Sequence, residues 1–495
     1  MKKMEELLKR IRKYFLTNAA RRQANVSLHI DGRKNKYSLI KDYKEYKAEE
    51  KRFNRIYAFH QTVRGKMHLL KERPCEDCSG SFSEKNGKYY IAVVADGHGS
   101  NECFLSRIGS KIAVDVALDA LKNFADSISV VKTDLLAEHS QPSILRQLTD
   151  CIVSRWCDKV EEHFRTLLDS LNSEEGVDIR LQNIDGYPFS DVELQEVKNS
   201  KRAKIKPANF YGTTLMAALW LTDDVLVIVH QGDGRCDVFY DDGTVDQPVP
   251  WDSRCIGTAV TSMCDDDAAN RIRFCVIRLF SKDQKTEKSR KVIACYLGSD
   301  GVEDAYRDSY DEKGPFCMGN MGGVHTFYKD MTCQIIEKGS DKFESYLEEM
   351  LPEFSDTGKF SNTGSGDDVS VAGIVDLKAV QNHIKDYEHE IRIYELGEQL
   401  FWKEEELRSK MRKHRILKSR MDDAKGELSK IEDSIFSSKE KVKTAQEKFV
   451  EAQKKYIDYD ANYQRIEIEC KQIKSKIEEV KRTKIEENKV NEALA

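Results

Sequence analysis

Residues 89–100 read YYIAVVADGHGS, a short apolar run that stops at Asp96, Gly97, His98 and Gly99. A run of this length, rich in aromatic and β-branched residues and closed by turn formers, reads as a strand. The same texture recurs at 215–221, 225–230, 273–279, 292–297 and 369–375. Between the first strand and the second lie 104–124 and 144–171, where apolar residues return every three or four positions and predict helices. Two groups of strands with long helices inserted predict an α+β fold, a sandwich of sheets. The polar segment 173–206 reads as a surface excursion or flap.

The chain has 495 residues, more than a single core usually absorbs, so two or three units are expected. Charged residues make up 33% and hydrophobic ones 40%, which requires a long solvated segment. The stretch past Asp376 supplies it, with no proline and only Gly397 and Gly426. From Leu417 through Met421, Leu428, Ile435, Val442, Phe449, Tyr456, Tyr463 and Cys470 to Val480, apolar positions alternate by fours and threes. That heptad seam over 417–480 predicts a coiled coil, a rod of roughly 95 Å if straight. A turn at Gly426 would instead fold the tail into an antiparallel hairpin, and pairing with a second copy or a partner protein is the other arrangement. At the other end, Met4, Leu7, Leu8, Ile11 and Phe15 predict an amphipathic helix, followed by a linker of little core. The expected organisation is 1–52, N-terminal helix and linker; 53–377, the sandwich; 378–495, the helical region.

Net charge is -5, from 80 basic and 85 acidic residues, so no global field draws the chain to nucleic acid or an anionic membrane. Thirteen cysteines at irregular spacing read as reduced thiols of a cytoplasmic protein. Lys9, Arg10, Arg12 and Lys13 interrupt the only leader-like stretch, and no run of about 18 apolar residues offers a transmembrane span. Cys75 and Cys78 form a C-x-x-C with no second such pair nearby, which argues against a zinc knuckle. Trp156, Trp220, Trp251 and Trp402 read as core fillers, His68 and His230 as satisfied histidines near strands, and Gly212, Thr213 and Thr214 as turn chemistry at a strand start.

Five acidic clusters stand at expected strand ends: Glu76-Asp77, Asp96, Asp233, the run Asp300 to Asp304, and Asp367-Asp368. Carboxylates gathered without histidine or cysteine suit hard divalent cations, Mg²⁺ or Mn²⁺, and two such ions activate a water toward phosphorus. Gly97 leaves its carbonyl free to approach a metal. His98 suits the protonation of a leaving alkoxide, and Arg73 a bidentate grip on phosphate.

These pieces resemble the metal-dependent Ser/Thr protein phosphatases of type 2C, the PPM family, in their bacterial branch. The resemblance runs in family order through GKMHLLKERPCEDCSG at 65–80, VVADGHGS at 93–100, YGTTLMAAL at 211–219, HQGDGRCDVF at 230–239, LGSDGVEDAY at 297–306 and GSGDDVSVAGI at 364–374. It implies a β-sandwich of two antiparallel sheets flanked by helices. It also implies that Asp77, Asp96, Asp300, Asp367 and the backbone of Gly97 hold two Mn²⁺ or Mg²⁺ ions, with Glu76 sharing the ligand role. Asp233 and Asp304 match residues that hold a third ion in the family. His98 matches the general acid and Arg73 the phosphate-binding arginine, with Lys71 the alternative cation. Gly234 stands where the family more usually has serine, and Asp368 where asparagine often follows the metal ligand.

The expected activity is hydrolysis of phosphoserine or phosphothreonine in proteins by attack of a hydroxide bridging the ions, without a phosphoenzyme. The competing class is a scaffold that recognises phosphoproteins and assembles through the coiled coil.

Overall fold

The computed structural model describes residues 37–38, 55–127, 141–172, 188–203, 205–222, 224–255, 259–283, 289–306, 321–356 and 366–494. The expected N-terminal helix lies outside them, as do all of the expected linker but Tyr37–Ser38 and residues 173–187 of the expected flap. The chain divides into two units, Met1–Ile384 and Lys385–Ala495.

In chain order the strands are β1 (Tyr37–Ser38), β2 (Ile56–Val63), β3 (Cys78–Ser83), β4 (Tyr89–Ala95), β5 (Leu215–Leu221), β6 (Val225–Gln231), β7 (Arg235–Tyr240), β8 (Val245–Asp246), β9 (Arg273–Arg278), β10 (Phe280–Asp283), β11 (Ser289–Gly298) and β12 (Val369–Asp376). The helices are α1 (Lys66–Leu70), α2 (Ser106–Ser127), α3 (Gln141–Asn172), α4 (Asp191–Ala203), α5 (Ala268–Arg271), α6 (Asp300–Asp304), α7 (Met321–Lys338), α8 (Ser340–Ser355), α9 (Leu377–Val380), α10 (Ile384–Glu432) and α11 (Lys439–Leu494). One sheet runs β3-β4-β5-β6-β9; the other runs β1-β10-β11-β12-β2, with β7 also paired to β11 and β8 to β7. Every strand pairing is antiparallel.

Strand alternation sorts the apolar residues into layers. In β4, Tyr90, Ala92 and Val94 join Met216, Ala218 and Trp220 of β5 and Cys236, Cys295 and Ile374 of the opposite sheet in the core between the sheets. Their neighbours Ile91, Val93 and Ala95 face the other way, into a second core with Ile108, Leu121, Ile152 and Trp156 of α2 and α3. Both faces of β4 are covered, which is why it reads as continuously apolar. Beyond the second sheet, Phe59 meets Phe343 edge-on with ring centroids 5.0 Å apart, and Tyr296 stacks on Tyr328 at 4.9 Å, seating α7 and α8. The order is thus helices, sheet, sheet, helices.

The segment expected as a flap is, where described, the helix α4. Val197 is buried in the helix-side core, and Glu193 pairs with the buried Arg107 at 3.2 Å. Its charged composition hid one apolar stripe. Trp156 and Trp220 fill cores as expected, whereas Trp251 carries Arg235 over its ring at 3.9 Å and Trp402 is exposed on α10.

The second unit is an antiparallel helical hairpin. His414 bonds Asp460 at 2.6 Å, Lys403 pairs with Glu469 at 2.7 Å, and Lys484 with Glu390 at 2.8 Å, so numbers fall along α10 as they rise along α11. The expected unbroken seam over 417–480 is therefore corrected: the chain reverses at 433–438, and Ile435, placed in the seam, is 94% exposed. Heptad spacing is blind to chain direction, and the reversal sits in a serine-rich link rather than at Gly426, which lies inside α10.

Candidate metal centre

Sheet register brings the acidic strand ends together. Cys78 faces Ala95 across β3 and β4, so Asp77 and Asp96 leave adjacent strands at one level. Gly298 faces Arg235 across β11 and β7, which sets Asp300 and Asp233 beside each other at the end of the second sheet. One carboxylate oxygen from each of Asp96, Asp233 and Asp300 lies within 4.8 Å of the others. Asp233, read from sequence as a third-ion residue, thus stands in the tightest group. Asp304 sits at the end of α6 and adds its repulsion to Asp300.

The electrostatics are those of carboxylates short of counter-charge. Burial pushes Asp96 well above the ordinary carboxylate range, and repulsion from Asp300, Asp77 and Asp233 adds to it. Burial does the same to Asp300, reinforced by Asp233 and Asp367. Asp77 is raised by burial and then by Asp368 and Asp367, while the hydroxyls of Ser299 and Ser370 oppose the shift. Burial lifts Glu76 to about 7, although Arg73 and His68 pull it back. Asp77 Oδ2 and Glu76 Oε2 are buried without a hydrogen-bond partner. Buried acceptors left unpaired cost free energy that a bound cation recovers, so the donor set fits hard divalent ions.

Backbone clamps hold these side chains in place. The Asp96 N–H donates to Thr214 Oγ1 at 3.0 Å, and Thr213 Oγ1 donates to the Asp96 carbonyl at 2.8 Å. The turn chemistry read at Gly212-Thr213-Thr214 therefore aims a candidate ligand. Gly97 packs against the Glu76 carbonyl, with which a Cβ would collide, and Ser110 Oγ donates to the same oxygen at 2.6 Å.

Asp368 was legible only as a departure from family habit. Its Oδ1 accepts from the Gly65 N–H at 2.6 Å, and its Oδ2 from the Glu76 N–H at 2.6 Å and His68 Nδ1 at 2.9 Å. His68 Nε2 in turn lies 3.8 Å from both Glu76 and Asp367. This network lowers the Asp368 carboxyl against the cost of its burial. Nothing in the spacing of residues 65, 68, 76 and 368 announces it.

Arg73 donates from Nη2 to Glu76 Oε1 at 2.8 Å and to the Gly99 carbonyl at 2.9 Å, with 36% of its side chain exposed beside the cluster. Lys71 caps α1 and is exposed. The His98 ring borders Gly212, its Nε2 is buried without a partner, and burial lowers its pKa while Asp265 opposes that shift. Arg235, missed as a site residue, grips Glu303 through Nη2 at 2.8 Å and ties β7 to α6. His230 is buried in β6, and burial, with Arg273 and Arg235 adding to it, lowers its pKa.

Two antiparallel sheets between helices, with the carboxylates of both gathered at one end, define the class of fold and site. The family model described as protein phosphatase 2C matches residues 64–348, more than half of the chain. The chain belongs to the protein phosphatase 2C family; it is a protein phosphatase. No curated protein matches it. Among solved structures it is similar to RsbX in complex with magnesium, at 12% identity, TM-score 0.27, covering 65% of this chain and 94% of that one. It is also similar to the photosystem II phosphatase PBCP, at 11% identity, TM-score 0.32 and coverage of 65% and 98%. The serine-threonine phosphatase 2C from Toxoplasma gondii matches at 10% identity, TM-score 0.33 and coverage of 65% and 94%. No helix among the described residues is long and apolar enough to cross a membrane.

Proposed function

We propose that this phosphatase hydrolyses phosphoserine and phosphothreonine in proteins in one step, with Mn²⁺ or Mg²⁺ held by Asp77, Asp96, Asp233, Asp300 and Asp367, and with Glu76, Asp304 and the Gly97 carbonyl beside them. The observation that carries the reading is the converging oxygens of Asp96, Asp233 and Asp300 beside the unpartnered Asp77 Oδ2 and Glu76 Oε2. Bound there, divalent cations neutralise the carboxylates, polarise phosphoryl oxygens and lower the pKa of water. Arg73 keeps N–H donors free for a phosphate and orients it; Glu76 holds the guanidinium in place. His98 is the proton donor to the leaving serine or threonine oxygen; burial lowers its pKa, so that when protonated it gives the proton up readily. Residues 53–377 form the catalytic part, and the hairpin in 378–495 serves partner binding, self-association or regulation.

The test is phosphate release from a phosphothreonine peptide with Mn²⁺, with a chelator, and in Asp96→Asn and Asp300→Asn variants. Chelator-sensitive turnover lost in both variants supports the proposal. Tight phosphopeptide binding with no turnover under any divalent ion overturns it in favour of a scaffold.

A further inference from the structure

Residues 210–213 enter β5 between two loops. On one side His98 N–H donates to the Gly212 carbonyl at 3.1 Å and Leu105 N–H to the Phe210 carbonyl at 2.8 Å. On the other, Met263 N–H donates to the Thr213 carbonyl at 2.8 Å, and Thr213 N–H to Ser262 Oγ at 3.1 Å. Gly212 is the gap in this partition: a Cβ there would lie 2.7 Å from Cys103 Sγ and 3.3 Å from Cys264 Sγ. Cys103 ends the short 3-10 turn that follows the His98 loop, and Cys264 stands beside Met263. Any side chain at 212 would separate the two sulfurs; glycine lets them converge.

We propose that Cys103 and Cys264 are a reversible disulfide site, oxidised by a hydroperoxide, that clamps the His98 loop to the 261–265 loop across Gly212.

Both thiols are half-buried on either side of Gly212, with Cys103 Sγ 3.3 Å from the Asn209 carbonyl and Cys264 Sγ 3.2 Å from Ser262 Oγ. The neighbouring Cys264 draws the Cys103 thiol down to about 6, with the Ser100 hydroxyl and Gly212 N–H helping against burial, whereas Cys103 and burial push Cys264 up. One sulfur is thus the nucleophile and the other keeps its proton until the second step. Closeness alone does not make such a site. Cys236 and Cys295 have sulfurs 3.9 Å apart, yet both are buried in the core between the sheets, away from any oxidant.

The chemistry balances with hydrogen peroxide. Cys103 thiolate attacks one peroxide oxygen, the O–O bond breaks, and the departing hydroxide takes up the thiol's proton as water, leaving a sulfenic acid. Cys264 sulfur then attacks the sulfenic sulfur, the S–O bond breaks, and the Cys264 proton leaves with the hydroxyl as the second water. Two thiols are oxidised to one disulfide, and one peroxide is reduced to two waters. An effect of the clamp on turnover, through His98, rests on the function proposed above; the disulfide itself does not.

The experiment treats the full chain with hydrogen peroxide, alkylates the remaining thiols and maps a non-reduced digest by mass spectrometry, in parallel with phosphatase assays. Expected are loss of the Cys103 and Cys264 alkylation signals, a linked Cys103–Cys264 peptide and reversal by dithiothreitol. Cys264→Ser is expected to stop at a Cys103 sulfenic acid trapped by dimedone, and Cys103→Ser to show neither product. Both thiols staying alkylatable after peroxide, or Cys264 pairing equally well in Cys103→Ser, overturns the proposal. A mapped disulfide in a chain inactive when reduced upholds the site and defeats the phosphatase reading, whereas peroxide-insensitive turnover with no disulfide does the reverse.

Discussion

Asp368 Oδ2 accepts from His68 Nδ1 at 2.9 Å and from the Glu76 N–H at 2.6 Å, so one oxygen fastens α1 and the β3 approach to the start of β12. Asp368 is only 2% exposed, and each donor it serves would be stranded without it. Asp368→Ala is expected to destabilise the sandwich by about 3 kcal/mol, since each unpaired buried donor costs about 1–3 kcal/mol. Asp368→Asn, which keeps one acceptor oxygen, should cost less. Denaturant melts of both variants check the order, and equal losses would show that the hydrogen bonds are not what matters.

The crowding of Asp96, Asp233 and Asp300 opposes folding of the metal-free chain. Asp96→Asn or Asp300→Asn should therefore raise the metal-free melting temperature and abolish the further rise that Mn²⁺ gives the natural protein. Calorimetric scans with and without Mn²⁺ read both effects. A variant that still gains the full Mn²⁺ shift removes its residue from the ligand set.

Glu76 titrates near 7 in the folded metal-free protein against an ordinary 4.5, chiefly because it is buried. A carboxyl whose folded pKa is raised binds its proton more tightly folded than unfolded, so its contribution declines as pH climbs from about 4.5 to about 7. Glu76→Gln should accordingly gain on the natural chain across that window, by roughly 3 kcal/mol in total. Urea melts of both metal-free proteins at pH 5 and at pH 8 test this; a stability difference that does not move with pH refutes it.

In the hairpin, Ile435 and Phe436 are 94% and 96% exposed at the turn, whereas Ile466 is fully buried on α11. Replacing both turn residues by serine should leave thermal unfolding within about 0.5 kcal/mol of the natural chain. Ile466→Ala should cost about 2–5 kcal/mol. Circular dichroism melts separate the two, and a destabilised turn variant would place those residues in a contact.

The strands at 89–95 and 215–221 and the helices over 104–124 and 144–171 were legible within a few residues, because long runs of one period override local ambiguity. β2, β3 and β7 were not, since each mixes polar residues into a short segment that borrows its pairing from distant strands. The helices α7 and α8 were missed as well: Gly322, Gly323 and Pro352 punctuate them, and only the aromatic ledge of Phe59 and Tyr296 gives them a surface to cover. At the site, the three carboxylates that converge, Asp96, Asp233 and Asp300, are among the residues named from sequence, while the hub made by His68 and Asp368 and the pair Arg235–Glu303 are not.

What the sequence determined by itself is the layered sandwich and the placing of carboxylates at strand ends, since both follow from residue type and short-range period: acidic residues at the ends of apolar runs, and runs of strand and helix length. Only the tertiary structure decided which acids meet, what fastens them, and where the helical tail reverses. Those outcomes depend on antiparallel register between strands hundreds of residues apart and on which face of each helix is covered, and neither leaves a trace in local spacing.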